Sequence, residues 1–286
     1  MSEFVFCSKE DVKSYCDGER ERVSSKIKEY IRKGHPRPRF LIVQVGDNPA
    51  SNKYVSMKIQ DCNSMNIETT HMKFPETITY NELVEFLLKE RDFYHSIIIQ
   101  KPTNPEIDSQ FDSAVEYLRC HQDVDGFKKD SFFKPATALG IYRYLKYGEE
   151  NKKLNKKLSG SHCVLVGRGE LVCRPLIELM LSADCTVTVC HSKTRKMWKH
   201  TNQADIIISG VGKANLIDSK YIKPNAIVID AGVDFIDGKV CGDCSLDDVL
   251  NVTPYCTRPV GGVGVLTRTT MLSNILESYE MQEIDV

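Results

Sequence analysis

The sequence predicts an α/β protein of two α/β domains, the second a Rossmann-like dinucleotide-binding domain. Three observations carry this. Short β-branched apolar runs alternate with helical stretches, as in a parallel sheet with crossover helices. The alternation restarts after a charged stretch at 148–157. A glycine turn and a helix follow the first strand of the second run. A length of 286 residues also suggests about two domains.

The elements follow in order. Ser8 with Asp11 reads as a capping box opening a helix that runs to about Arg32, where Gly34 and Pro36 end it. Residues 40–45 form a short, β-branched-rich run closed by Gly46-Asp47-Asn48-Pro49, hence a buried strand. A helix follows at about 50–65, a strand at 68–73, an amphipathic helix at 80–91, a buried strand at 96–100 and a helix at 107–118. The stretch 148–157 has no apolar face and reads as a solvated linker or helix end. Beyond it come strands at 164–166, 186–190, 205–209 and 226–230, a helix at 171–181 and a last helix at 267–281. The second α/β unit begins near 134–145.

Bulk properties exclude several classes. A net charge of −1 offers no electrostatic reason for a nucleic-acid or membrane-surface partner. No apolar stretch reaches the length of a membrane span, and the first residues lack the apolar core of a secretory signal. The 11 cysteines, odd in number and set mostly in apolar runs, indicate a reducing, cytoplasmic setting. Cys241 and Cys244 form a lone CxxC without a second ligand pair, so they fill a strand and its turn, and no metal is expected.

Two places point to chemistry. Tyr54 and Lys58 lie four apart on one helix face, just past the carboxyl end of a strand, where open α/β sheets place ligands. A lysine sheltered there becomes a usable acid or base, although a solvated surface lysine is the commoner outcome for such a pair. In the second unit Gly167-Arg168-Gly169 follows a strand, but the dinucleotide fingerprint is incomplete because Val172 stands at its third glycine. The next strand ends in Cys190-His191-Ser192-Lys193-Thr194-Arg195, with no acid to hold a ribose 2′-hydroxyl. Together with Arg168 these groups suit a 2′-phosphate, hence NADP; the alternative is an ordinary basic turn. Gly210, Gly212 and Gly232 mark further turns at strand ends.

Several segments converge on one family. VGDNPASNKYVSMK at 45–58, QKPTNPEID at 100–108, DVDGF at 123–127, GRGELVCRP at 167–175, TVTVCHSKT at 186–194, DIIISGVGKANLI at 205–217, AIVIDAGV at 226–233 and GGVGVLT at 261–267 together resemble the methylenetetrahydrofolate dehydrogenase/cyclohydrolase family over nearly the whole chain. The resemblance implies a folate-binding catalytic domain at 1–133, an NADP-binding domain at 134–266 and a final helix at 267–286 that packs back on the first. It implies a folate cleft flanked by the two domains, and a homodimer formed through the cofactor domain. Carried over, Lys58 is the essential lysine, Gln100 its polar partner, Tyr54 the aromatic packed on the folate and Asp125 the carboxylate that grips the pterin. Gly261 and Gly262 shape the pterin wall. Gly167, Arg168, Gly169, Ser192 and Val233 fall at the cofactor.

The implied activity is oxidation of 5,10-methylenetetrahydrofolate with NADP, followed by hydrolysis of the methenyl product. The alternatives are an NAD(P)-dependent dehydrogenase alone and a silent folate- or nucleotide-binding protein. The chain also departs from the family pattern. Gln122 replaces a lysine before DVDG, the stretch after Phe127 is short, Gly169 replaces a serine and Cys173 a glycine. The lost serine leaves NAD possible.

Overall fold

The structure, a computed structural model, describes residues 5–154 and 156–284. In chain order the elements are α1 (Lys9–Arg32), β1 (Arg39–Val45), α2 (Pro49–Ser64), β2 (Glu68–Phe74), α3 (Tyr80–Glu90), β3 (Ser96–Gln100), α4 (Pro105–Ser109), α5 (Phe111–Val115), α6 (Ala136–Glu150), β4 (His162–Val166), α7 (Cys173–Ser182), β5 (Thr186–Cys190), α8 (Trp198–Thr201), β6 (Ile206–Ser209), β7 (Ile227–Asp230), β8 (Asp234–Ile236), β9 (Lys239–Cys241), α9 (Leu246–Leu250) and α10 (Val263–Glu283). No described helix is long and apolar enough to cross a membrane.

The chain divides into two compact units. One comprises Gly18–Ala136 and the chain from Arg268 onward; the other comprises Thr137–Thr267 and the residues up to Asp17. The first holds a parallel three-stranded sheet in the order β2-β1-β3. Its centre is β1, with Phe40 opposite Thr69 on one side and Ser96 on the other. Alternation along β1 sends Phe40 and Ile42 into a core with α1 and the Met271–Leu276 part of α10. Leu41, Val43 and Val45 go into the opposite core with α3 and α5. Both faces are covered, so the strand is apolar from Phe40 to Val43 and at Val45, with Gln44 buried between. The edge strand β2 carries polar residues and is only partly buried.

The other unit holds a parallel sheet in the order β5-β4-β6-β7, a doubly wound order whose switch point lies between β4 and β6, with a β8–β9 hairpin beside it. Its residues before Asp17 depart from the expected assignment of 1–133 to one domain. Phe6 stacks on Tyr144 with ring centroids 4.7 Å apart, and the fully buried Asp11 accepts from the Tyr144 hydroxyl and from Lys153 Nζ at 2.6 Å. These bonds also correct two local expectations. Ser8 caps α1 through the Asp11 N–H, but the Asp11 carboxylate is committed to Tyr144 and Lys153. The charged stretch at 148–157 is therefore anchored rather than merely solvated: Lys153 meets Asp11, and Lys156 meets Asp205.

One expected helix is two. The stretch 107–118 divides into α4 and α5 at Gln110, whose φ of −121° leaves the helical region. Asn104 begins α4 by accepting the Ile107 N–H, and also ties it to the carbonyls of Glu76 and Ile78.

Candidate functional site

The Tyr54–Lys58 pair is built by the start of α2. Asn48 caps it, its side-chain oxygen accepting from the Ala50 and Ser51 N–H groups at 3.0 and 3.1 Å, with Pro49 in the first turn. That phase turns Ser51, Val55, Lys58 and Cys62 inward at helical spacing. Lys58 thus sits on the apolar face of its helix and is only 3% exposed. Its Nζ lies 3.4 Å from Asp125 Oδ2 and 5.2 Å from the centre of the Tyr54 ring. A buried lysine amine needs polar company, and here it has a long contact to one carboxylate and the face of one ring.

Gln100, expected beside Lys58, makes no hydrogen bond to it among the described residues. It stands at the carboxyl end of β3, but its amide donates to the Lys101 carbonyl at 2.7 Å, and its Oε1 is buried with no hydrogen-bond partner among the described residues. The polar partner of the lysine in this structure is Asp125. The physical reason is the turn that carries Asp125. Gly126 has φ +74°, and a Cβ there would come within 2.5 Å of the Lys134 backbone, so only glycine fits. The Ala136 N–H donates to the Asp125 carbonyl at 3.2 Å. The departure at Gln122 is also explained. Its amide donates to the carbonyls of Arg91 and Tyr94 and its oxygen accepts the Arg119 N–H, so a buried glutamine ties the 119–122 turn to the 91–94 segment. The short stretch after Phe127 is pinned, with Lys128 pairing with Glu116 and Asp130, and Phe133 buried.

In the other unit β4 ends at a turn in which the Gly167 N–H donates to the Cys190 carbonyl. Gly167 has φ +120°, and a Cβ there would meet Cys173 Sγ and the Gly210 carbonyl oxygen at 3.0 Å. Cys173 replaces the family glycine by packing under this turn, where burial pushes its thiol up to about 11. Arg168 and Gly169 are exposed just before α7, and Ser192 and Lys193 are exposed in the turn after β5. Val233, after β7, is also exposed. A tight glycine turn with open space above it and basic groups at the next strand end suit an anionic dinucleotide. Gly261 and Gly262 lie in this unit, in the turn before α10, and so apart in the chain's organisation from Tyr54, Lys58 and Asp125.

Sequence reasoning missed four buried polar residues. Asp123 and Asn274 flank Asp125, and Asp230 and Asp243 brace the ends of β7 and β6. Asp230 accepts from the N–H groups of Gly232, Asp243 and Cys244, and burial pushes its carboxyl up. Asp243 accepts from the Ser209 hydroxyl at 2.5 Å and the Val211 and Lys213 N–H groups at 2.8 Å. For the three acids the available signal was an acid inside or beside an apolar run with a glycine within three positions; Asn274 carried no such signal.

The fold and these sites define a two-unit α/β protein pairing a buried lysine–carboxylate site with a dinucleotide-type sheet. The chain belongs to the tetrahydrofolate dehydrogenase/cyclohydrolase family: the family's catalytic-domain model matches residues 11–125 and its NAD(P)-binding-domain model residues 135–283. The bifunctional protein FolD of Burkholderia multivorans is 37% identical over 261 residues, covering 87% of this chain and 88% of its own. The crystal structure of the bifunctional FolD methylenetetrahydrofolate dehydrogenase/cyclohydrolase from Campylobacter jejuni superposes with a TM-score of 0.88 at 33% identity, covering 95% of this chain and 98% of its own. That of Trypanosoma brucei, complexed with NADP cofactor and inhibitor, superposes at 0.84 with 24% identity over 94% and 95%, and supports the fold alone.

Proposed function

We propose that this chain oxidises 5,10-methylenetetrahydrofolate to the 5,10-methenyl form with NADP and hydrolyses that product to 10-formyltetrahydrofolate, with Lys58 handling the proton. The single observation that carries the reading is the buried Lys58 facing Asp125 in a chain with a dinucleotide-type second unit.

NADP, when bound, accepts the hydride from the bridging carbon. Gly167, Arg168 and Gly169 would hold its phosphates, Ser192 the 2′-phosphate and Val233 the nicotinamide side. In the water step, water adds to the bridging carbon, one of its protons leaves to solvent and the other ends on N5 as the carbon–N5 bond breaks. One amine that takes a proton from the added water and passes it to N5 serves both transfers, and Lys58 is sheltered enough to act so. Tyr54 would pack on the folate ring. Asp125, acceptor on both oxygens, would take the N–H groups of the pterin amine edge. One carboxylate then meets both substrate and lysine, coupling binding to proton handling. The buried Gln100 Oε1, without a hydrogen-bond partner among the described residues, would accept from substrate or from the attacking water.

The test supplies purified protein with methylenetetrahydrofolate and NADP or NAD, following methenyl absorbance and reduced nicotinamide together. Reduced cofactor without lasting methenyl product is expected, with NADP preferred. Methenyl accumulation would leave a dehydrogenase alone, and no turnover with either cofactor would leave a silent binder.

We further infer a homodimer formed through the cofactor unit, where the β8–β9 hairpin exposes Phe235 and Ile236 beside Val233. Sedimentation would return a monomer mass if this is wrong. The eleven free cysteines, most of them buried, support a cytoplasmic setting, which cell fractionation tests. We assign folate binding to 1–133 with the last helix and cofactor binding to 134–266, the residues before Gly18 folding with the cofactor unit.

A further inference from the structure

We propose that Asn274 and Asp123 are positioning residues that hold Asp125 against Lys58; this rests on the reading of Lys58 and Asp125 given above. Asn274 lies on α10, 149 positions along the chain from Asp125 (274 − 125), and is fully buried between the apolar neighbours Met271, Leu272, Ile275 and Leu276. Its Nδ2 donates to the Val124 carbonyl at 2.9 Å, while its Oδ1 has no partner among the described residues. A half-satisfied amide in an apolar core is costly, so the bond it does make is the reason to look for its role. That bond falls on the peptide immediately before Asp125.

Asp123 acts from the other side. Its carboxylate is 1% exposed and accepts the Gly126 N–H at 3.1 Å and the Lys128 N–H at 2.7 Å. Its own backbone pairs with Ile97 of β3, which sets it in register with the sheet. The backbone around Asp125 is therefore held at three points: the Val124 carbonyl by Asn274, the Asp125 carbonyl by Ala136 and the Gly126 N–H by Asp123. What remains free is the rotation of the Asp125 side chain. At 3.4 Å its contact with Lys58 stands at the long end of hydrogen bonding, so a small shift of the turn would break it.

Among the described residues Lys58 meets Asp125 and neither Asn274 nor Asp123, so their effect passes through Asp125. The test is a double-mutant cycle in the full chain. Asn274→Ala, and separately the isosteric Asp123→Asn, should each lower kcat/KM for methenyl hydrolysis by roughly tenfold to a hundredfold, the scale of a misplacement near 1 Å. In an Asp125→Asn background each should add less than about twofold, because the group they position is already changed. NADP affinity should stay within about twofold throughout.

Equal losses in both backgrounds would show a merely structural role and overturn the proposal, as would unchanged hydrolysis in both single variants. If the wild type itself hydrolyses nothing, the functional reading fails and the proposal is read without turnover. Hydrogen exchange at the Gly126 and Lys128 amides in the unliganded protein should quicken at least tenfold in Asp123→Asn. Affinity for tetrahydrofolate, titrated calorimetrically, should fall in Asn274→Ala. Unaltered exchange together with unaltered affinity refutes it.

Discussion

Asp125 in one unit and Asp243 in the other are both buried carboxylates near strand ends, but they are satisfied in different ways. Asp125 faces the Lys58 amine at 3.4 Å, a contact at the limit of hydrogen-bond length. Asp243 is enclosed by one serine hydroxyl and two backbone N–H groups at 2.5–2.8 Å, and Asp230 by three backbone N–H groups. A carboxylate held by backbone donors is part of the scaffold: it ties the segment after β6 to the segment before α9. One that meets a lysine across a long gap is available to exchange partners with a ligand. Burial alone therefore does not mark a reactive group; the identity and length of its contacts do.

The largest effect should come from the lysine itself. Lys58→Met keeps the length and apolar stem of the side chain but removes the amine, and should lower methenyl hydrolysis by at least about a thousandfold, within the range general acid–base groups contribute. Hydride transfer, which needs positioning more than proton handling, should fall much less. A stopped-flow comparison of the two steps decides this, and equal losses in both would deny Lys58 its specific role.

Asp243→Ala attacks the scaffolding carboxylate and should show the opposite profile. It leaves the Ser209 hydroxyl and the Val211 and Lys213 N–H groups without their acceptor, at a cost of about 2–4 kcal/mol in urea unfolding. NADP affinity should drop, while hydrolysis per folded molecule should not. A variant that melts normally and fails only in hydrolysis would invert the assignment of the two carboxylates.

Much of the fold was legible because buried strands of both sheets are short, largely apolar runs, which a sheet covered on both faces accommodates, as in β1, β3 and β4. The break between α4 and α5 was not, because Gln110 carries no breaker signal and the interruption depends on where Asn104 ties the chain. The anchoring of 148–157 was hidden for a similar reason: Lys153 finds its partner at Asp11, 142 positions away. At the site, the helical spacing of Tyr54 and Lys58 stated their common face, but nothing local could tell whether that face was wet or buried. The contact of Lys58 with Asp125, and the turning of Gln100 toward Lys101, are tertiary outcomes.

Asp123 offers a pH test. Burial, then the charge of neighbouring Asp125, push its carboxyl up to about 6. The fold thus favours the protonated form more than the unfolded chain does, whose value is about 3.9. The stability this group contributes is fully present below about 4 and is lost as pH rises through about 6, with a span of about 2–3 kcal/mol. Asp123→Asn should flatten the unfolding free energy between pH 4 and 6, leaving the smaller slopes of Asp230 and Asp61, which burial also raises. An undiminished slope in that variant would place the proton elsewhere.

The smallest effect should be a gain on the cofactor side. Gly169 is exposed, a Cβ built on it meets nothing within 4 Å, and its backbone lies outside the left-handed region. Gly169→Ser should therefore leave thermal stability within about 0.5 kcal/mol of the wild type. The added hydroxyl stands just before α7, where the backbone of the Gly167 turn would receive the dinucleotide phosphates. One more donor there is worth about 0.5–1.5 kcal/mol, or roughly twofold to tenfold in affinity. Titration with NADP and with NAD should show similar tightening for both, because the phosphates they share are what the hydroxyl would reach. Tightening confined to NADP would instead place residue 169 beside the 2′-phosphate and move the discriminating contact from the turn after β5 to the turn after β4.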